Sequence, residues 1–294
     1  MSGTGTAVAA RIAGAPISWG VCEVPGWGYQ MDAGRVLREM REVGLSATEF
    51  GPDGFLPDEP RRKAETLAGY ELAAVGGFVP VVLHDRGHDP LPEADAALDG
   101  FVAAGAGVMV LAAATGLDGY DTRPELDDAA WATLFDNLSR LAVRAADRGV
   151  LACLHPHVGT MIETREDVDR LLDGTQAPLC LDTGHLLVGG ADPAALAREV
   201  PERIVHTHLK DVDAGLAQRV RAGELSYTEA VRAGMYRPLG EGDVGIADIV
   251  GTLEAHGYQG WYVLEQDTVL PAEPAGAGPV EDVAASVAFL RGLE

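Results

Sequence analysis

The chain has 294 residues, of which 47% are hydrophobic and 23% charged, and a formal net charge of −23. That is a soluble, globular composition, long enough to bury a large core in one domain. The acidic balance excludes binding through a basic footprint to a nucleic-acid backbone or an anionic membrane, and no apolar run approaches membrane-spanning length.

The opening residues, MSGTGTAVAARIAGAP, lack a basic region followed by a long apolar one. A cytoplasmic protein with frayed residues 1–10 is therefore expected. The first strand is expected over Ile12 to Ser18, followed by Trp19-Gly20 and a loop, Val21 to Met31, rich in Gly, Pro and aromatics. Val36, Leu37, Met40 and Val43 recur at helical spacing within Asp32 to Val43, and Gly44 ends that helix. The second strand, Ser46 to Phe50, carries Glu49 near its end and leads through the loop Gly51 to Pro60 into a short helix, Arg61 to Gly69. The third strand, Leu72 to Leu83, ends at His84 and Asp85, and Gly76-Gly77 marks either its true start or a bulge.

A helix from about Pro92 to Ala104 and a strand from Val108 to Ala112 follow. Beyond a Gly- and Asp-rich loop, Thr115 to Asp121, the longest helix runs from Asp127 to Arg148 with Leu134, Leu138, Leu141 and Ala145 on one face. The fifth strand, Val150 to Leu154, ends in His155-Pro156-His157. Thr164 caps the next helix, with Asp167 placed for a capping box and Val168, Leu171 and Leu172 facing inward. Cys153 and Cys180 lie in apolar runs and read as small core residues; with Cys22 they are too few for a disulfide framework.

The stretch from Cys180 to Asp211 organises the chain. Apolar runs at Pro178 to Leu181 and Arg203 to Leu209 read as buried parallel strands. Each ends in a polar burst, Asp182-Thr183-Gly184-His185 and His206-Thr207-His208-Leu209-Lys210-Asp211. Between them a helix starts with Asp192 as N-cap and Pro193 at its first position. The right-handed crossover places both bursts on one edge of the sheet. An irregular stretch from Asp211 to Asp243, a helix Ile246 to His256, a strand Trp261 to Leu264 ending in Glu265-Gln266-Asp267, and a helix Val280 to Leu293 complete the chain. Eight strands alternate with eight helices and no linker divides them. The expected fold is a single-domain α/β (β/α)8 TIM barrel over residues 1–294. A doubly wound open sheet is the alternative, but no Gly-rich fingerprint follows the first strand.

In such a barrel the active site lies at the C-terminal strand ends. Trp19, Glu49, His84, His155, His157, Asp182, His185, His206, His208, Lys210 and Glu265 stand there. Five of the eight histidines fall between 155 and 208. His206 and His208 share a strand face. Asp182, His208 and Glu265, from three consecutive strands, form a mixed oxygen and nitrogen set suited to Mn2+, Co2+, Mg2+ or Zn2+.

Several segments carry a resemblance: Pro16-Ile17-Ser18-Trp19, Thr48-Glu49-Phe50-Gly51, His155 to Thr160, Leu181-Asp182-Thr183-Gly184-His185, His206 to Asp211, Gly240-Glu241-Gly242-Asp243 and Val263-Leu264-Glu265. In these the chain resembles the xylose-isomerase-like family of sugar isomerases, epimerases and dehydratases, similar in barrel plan to endonuclease IV. Its nearest likeness in that family is to inosose dehydratases of myo-inositol catabolism. The resemblance implies one divalent metal, Mn2+ or Co2+ before Mg2+ or Zn2+, on Asp182, His208 and Glu265. At the fourth position His155 stands where Glu is usual, and is either a neutral ligand or a substrate contact with water completing the shell.

The implied reaction is dehydration of a keto-cyclitol such as 2-keto-myo-inositol through a metal-stabilised enediolate. The runner-up is a ketose isomerase or 3-epimerase, which His155 disfavours. Glu49, His157, His185 and Lys210 are the acid and base candidates. Lys210 is otherwise a partner of Asp211, and Glu49 a tie for the first loop. Trp19, His84 and His206 are the expected substrate contacts, with Trp19 and Trp27 as an apolar wall. The expected partner is a small polyhydroxylated ketone, with no nucleic acid and no membrane, and the loop after Asp211 is a candidate homo-oligomer surface. DNA repair and non-enzymatic sugar binding are the other classes; the net charge opposes the first and the ionisable strand ends oppose the second.

Overall fold

In the computed structural model, which describes residues 7–293, the apolar runs become the staves of a closed parallel barrel. Its strands are β1 (Ile12–Gly14), β2 (Ala47–Glu49), β3 (Ala73–Val81), β4 (Val108–Ala113), β5 (Leu151–Leu154), β6 (Leu179–Asp182), β7 (Ile204–Leu209) and β10 (Tyr262–Leu264). They are ordered β1-β10-β7-β6-β5-β4-β3-β2 around the barrel. The eightfold barrel expected from the sequence is the fold.

The helices between the strands form where the spacing places them: α1 (Ala33–Glu42), α2 (Pro60–Gly69), α3 (Leu91–Ala104), α4 (Asp128–Asp147), α5 (Arg165–Gly174), α7 (Pro193–Glu199), α10 (Ile246–Ala255) and α11 (Val280–Arg291). Their starts are fixed by short acceptors. Asp32 accepts from Arg35 N at 3.1 Å, Asp127 from Ala130 N at 2.8 Å, and Thr164 with Asp167 closes the capping box. Leu134, Leu138, Leu141 and Ala145 of α4 are buried against the barrel.

Inside the barrel, side chains two apart on a strand share a face. Ala47, Cys153, Cys180 and Val263 are buried there, and each stands two positions before a polar residue: Glu49, His155, Asp182 and Glu265. A packed lower layer thus supports a polar upper one at the C-terminal edge.

Four expectations need correction. The first strand stops at Gly14, because Pro16 lacks an amide proton for the ladder and starts a 3-10 turn, Pro16–Trp19. The burst after β6, read only as a polar strand end, is helical: Asp182 caps α6 (Thr183–Val188). The stretch from Asp211 to Asp243 is ordered as an antiparallel ribbon, β8 (Asp211–Val212) with β9 (Tyr236–Arg237), enclosing α8 (Ala214–Arg221) and α9 (Tyr227–Arg232). Of the residues expected to fray, 1–6 lie outside the described residues, whereas Val8–Arg11 forms a 3-10 turn with Val8 and Arg11 buried. Among the described residues no helix is long and apolar enough to cross a membrane.

Candidate metal centre and active site

His155, Asp182, His208 and Glu265 converge at the C-terminal edge of β5, β6, β7 and β10. One donor atom from each lies within 4.8 Å of all the others, and all four residues are buried. Local hydrogen bonds aim these atoms. Asp182 Oδ1 accepts from Gly184 N at 2.9 Å and His185 N at 2.7 Å as the cap of α6, which leaves Oδ2 to the cluster. His155 donates from Nδ1 to the Pro156 carbonyl at 2.8 Å, so its lone pair is on Nε2, 3.5 Å from Asp182 Oδ2. His208 donates from Nε2 to Glu49 Oε1 at 3.0 Å and turns Nδ1 to Glu265 Oε2, 3.2 Å away.

These residues fit a divalent cation. Asp182 Oδ2 and His208 Nδ1 are buried without a hydrogen-bond partner, a cost that a bound ion removes. With every donor atom within 4.8 Å of the others, the four residues are close enough together to hold one ion. Two carboxylates balance the dication, so His155 in place of an acidic ligand leaves the set neutral. In the metal-free protein burial opposes a charge on His208, but Cys180, Glu265 and Glu49 outweigh it and hold its pKa well above the usual histidine value.

Next to the cluster, Lys210 Nζ lies 2.5 Å from Asp267, 2.8 Å from Glu265 and 3.6 Å from Asp182. Burial alone would lower its pKa, but these three carboxylates carry it well above the usual lysine value, so it stays an ammonium. Asp211 is not its partner. It accepts from Val212 N, Val244 N and Gly240 N, tying down the turn that carries Gly240-Glu241-Gly242-Asp243.

His157 donates from Nδ1 to the Val158 carbonyl at 2.6 Å, which leaves a lone pair on Nε2. Burial, and then the Lys210 charge, lower its pKa. It is therefore a neutral imidazole able to take a proton. His185 stacks on it with ring centroids 3.6 Å apart. The Val158 N–H points to His185 Nδ1 at 3.4 Å, so the ring carries its proton on Nε2, 3.9 Å from Asp267 Oδ2. Burial keeps His185 neutral too, its pKa pushed well below the usual histidine value.

The remaining sequence candidates are placed differently. Glu49 and His206 are buried beside the cluster and bonded to each other at 2.7 Å, with Glu49 also on His208. Trp19 is fully buried, with its indole N–H on Glu39 of α1 at 2.8 Å. Trp27 donates to the Thr268 carbonyl and lies 6.4 Å from the Tyr227 ring. His84 lines a separate surface cavity of about 630 Å³ with Arg86, His88 and Asp127.

Residues that the sequence did not single out complete the site. Tyr227 donates to Asp267 Oδ2 at 2.5 Å and sits 2.9 Å from Tyr236. The Tyr120 ring is 4.7 Å and the Phe78 ring 5.5 Å from His157, and Tyr120 also bonds Glu23 of the first loop. Only Asp267 left a signal, two positions beyond Glu265 where the strand direction continues.

A family profile described as "Xylose isomerase-like TIM barrel" matches residues 85–293. An inosose dehydratase of Geobacillus thermodenitrificans is 31% identical over 288 residues, covering 94% of this chain and 95% of that one. The crystal structure of the probable 3-DHS dehydratase AsbF from Bacillus anthracis superposes with a TM-score of 0.68 at 14% identity, covering 96% of this chain and 98% of that one. The structure of the IolI protein with a zinc atom also reaches 0.68 at 14% identity, covering 96% and 97%.

Proposed function

The chain belongs to the xylose isomerase-like TIM barrel family, and from that premise we propose that it is a divalent-metal-dependent dehydratase of a keto-cyclitol such as 2-keto-myo-inositol. The observation that carries the reading is the four-residue cluster with two orphaned, inward-aimed donor atoms, set beside a neutral imidazole and a buried ammonium. The inosose dehydratase likeness supports the choice of reaction and substrate.

In this proposal His155, Asp182, His208 and Glu265 hold the metal. Mn2+ or Co2+ is our choice for two imidazoles and two carboxylates, and Zn2+, the ion of the IolI structure, is next. When bound, the cation supplies Lewis-acid polarisation of the substrate carbonyl and offsets the charge that develops on its oxygen. His157, with its lone pair on Nε2, removes the proton α to that carbonyl. Lys210, which its carboxylates keep protonated, donates hydrogen bonds to substrate oxygen and does not give up its proton. The proton taken by His157 then goes to the departing β-hydroxyl, and one water leaves with no net proton change. His185 Nε2–H orients a neighbouring hydroxyl. Tyr120, Phe78 and Tyr227 pack against the C–H face of the ring.

The charges at the site favour a neutral substrate. Lys210 is already balanced by Asp267 and Glu265, which leaves it unavailable to pair with a phosphate or carboxylate. We rank a ketose 3-epimerase second, because reprotonation on the opposite face calls for an acid across the substrate, and His157 and His185 are stacked on each other. The test uses Asp182→Asn, which keeps the α6 cap, and Glu265→Gln. Both should purify with little metal and fail to dehydrate 2-keto-myo-inositol; wild-type metal content and turnover in both would overturn the proposal.

A further inference from the structure

Glu49 reaches the barrel axis because it stands two positions after the inward-facing Ala47 on β2, and the pairing beside it is irregular. β2 and β3 pair as Ala47 with Ala73 and Thr48 with Ala74, then Glu49 with Gly76, so Val75 is an extra residue. The bulge lies on β3 and sets Gly76 opposite Glu49, where the carboxylate needs space. Gly76 leaves that space: a Cβ there would stand 3.3 Å from Glu49 Oε1 and 2.8 Å from the Val108 carbonyl oxygen.

The same Glu49 oxygen, Oε1, lies 2.7 Å from His206 Nε2 and 3.0 Å from His208 Nε2. A carboxylate oxygen only accepts, so both rings carry a proton on Nε2; His208 then has Nδ1 to offer to a metal once the second proton that the metal-free ring holds there is displaced. His208 Nδ1 is the orphaned atom beside Asp182 and Glu265. We infer that Glu49 and His206 are a positioning pair for His208: Glu49 fixes its Nε2–H tautomer and turns Nδ1 to the metal, while His206 holds the carboxylate from the layer below. This rests on the proposed metal set. Neither residue touches substrate in this arrangement. A second ion on Glu49, His206 and His208 would require His208 to shed its remaining ring proton, which the single-site arrangement does not.

Partners that orient a ligating imidazole are worth about 10–100-fold in metal affinity. The experiment compares wild type, Glu49→Gln and His206→Asn by Co2+ competition against a chromophoric chelator, by the visible spectrum of bound Co2+, and by metal stoichiometry. Thermal unfolding of each metal-free protein confirms folding. Glu49→Gln keeps an acceptor oxygen but loses the charge. The expected result is one Co2+ per chain throughout, with affinity at least about tenfold lower and a shifted Co2+ spectrum in both variants. Unchanged affinity and spectrum in both folded variants would overturn the inference while leaving the metal set intact. Two Co2+ per wild-type chain, with one lost in His206→Asn, would overturn it in favour of a second metal site. A wild type that binds no Co2+ would overturn the metal set itself, and this inference with it.

Discussion

Replacing Lys210 by Met removes one charge from the middle of the site and leaves a side chain of similar length. Lys210 is 2% exposed and contacts Asp267, Glu265 and Asp182. Without it, three buried carboxylates face one another. Breaking a buried pair by removing one partner costs about 3–5 kcal/mol. At about 2 °C per kcal/mol for a chain of this length, the metal-free variant should melt roughly 6–10 °C below wild type. The sign with pH follows from the raised lysine pKa. Its own contribution is complete below the ordinary lysine value and is lost only as pH rises through the higher folded value, so the deficit should be full near pH 8 and shrink on acidification as the variant's unpaired carboxylates take up protons. Thermal unfolding in chelator, and again with excess Co2+, is the assay. Added metal should restore more stability to the variant than to wild type, because Asp182 and Glu265 regain a counter-charge. Equal melting temperatures in chelator, or equal gains on adding metal, would refute the electrostatic account.

Other expectations follow from the same geometry. His157→Asn should lower turnover by about 10²–10⁴-fold while keeping one metal per chain; near-normal turnover would remove His157 from the mechanism. Because a proton on His208 competes with the ion, Co2+ affinity should rise with pH, about tenfold per unit for each proton displaced; a flat titration from about pH 6 to 8 would contradict the ligand role of His208. Gly76→Ala, which drives a Cβ into the Val108 carbonyl and Glu49, should lower both thermal stability and Co2+ affinity. Loss of stability alone would separate the bulge from the metal centre.

The barrel was legible because each strand is an apolar run closed by a polar burst, and this grammar survives without tertiary information. The convergence of Asp182, His208 and Glu265 was legible for the same reason: strand order and face alternation bring neighbouring strand ends together; the family resemblance, not the strand pattern, added His155 as either a ligand or a substrate contact. The short helices α6, α8 and α9 were not, since six to eight residues carry too few turns for a clear period. Position at a strand end also says nothing about direction. His84 lies three residues beyond the end of β3 and faces an outer cavity, and Trp19 turns to Glu39 after the 3-10 turn. Tyr120, Tyr227 and Tyr236 come from loops and inserted elements far apart in the chain, so no local pattern announces their assembly. The role of Glu49 beside the histidines depends on the space that Gly76 leaves opposite it at a bulge in β3, of which Gly76-Gly77 gave only the hint.

The most direct measurement is an NMR time course of 2-keto-myo-inositol with Co2+-loaded protein in deuterated water, read on quenched, chelator-treated aliquots. The proposed chemistry predicts loss of substrate to a product one water lighter, dependent on metal and abolished in His157→Asn. Deuterium appearing beside the carbonyl without loss of water would contradict the dehydration and point to an epimerase. No exchange with metal bound would contradict the substrate class.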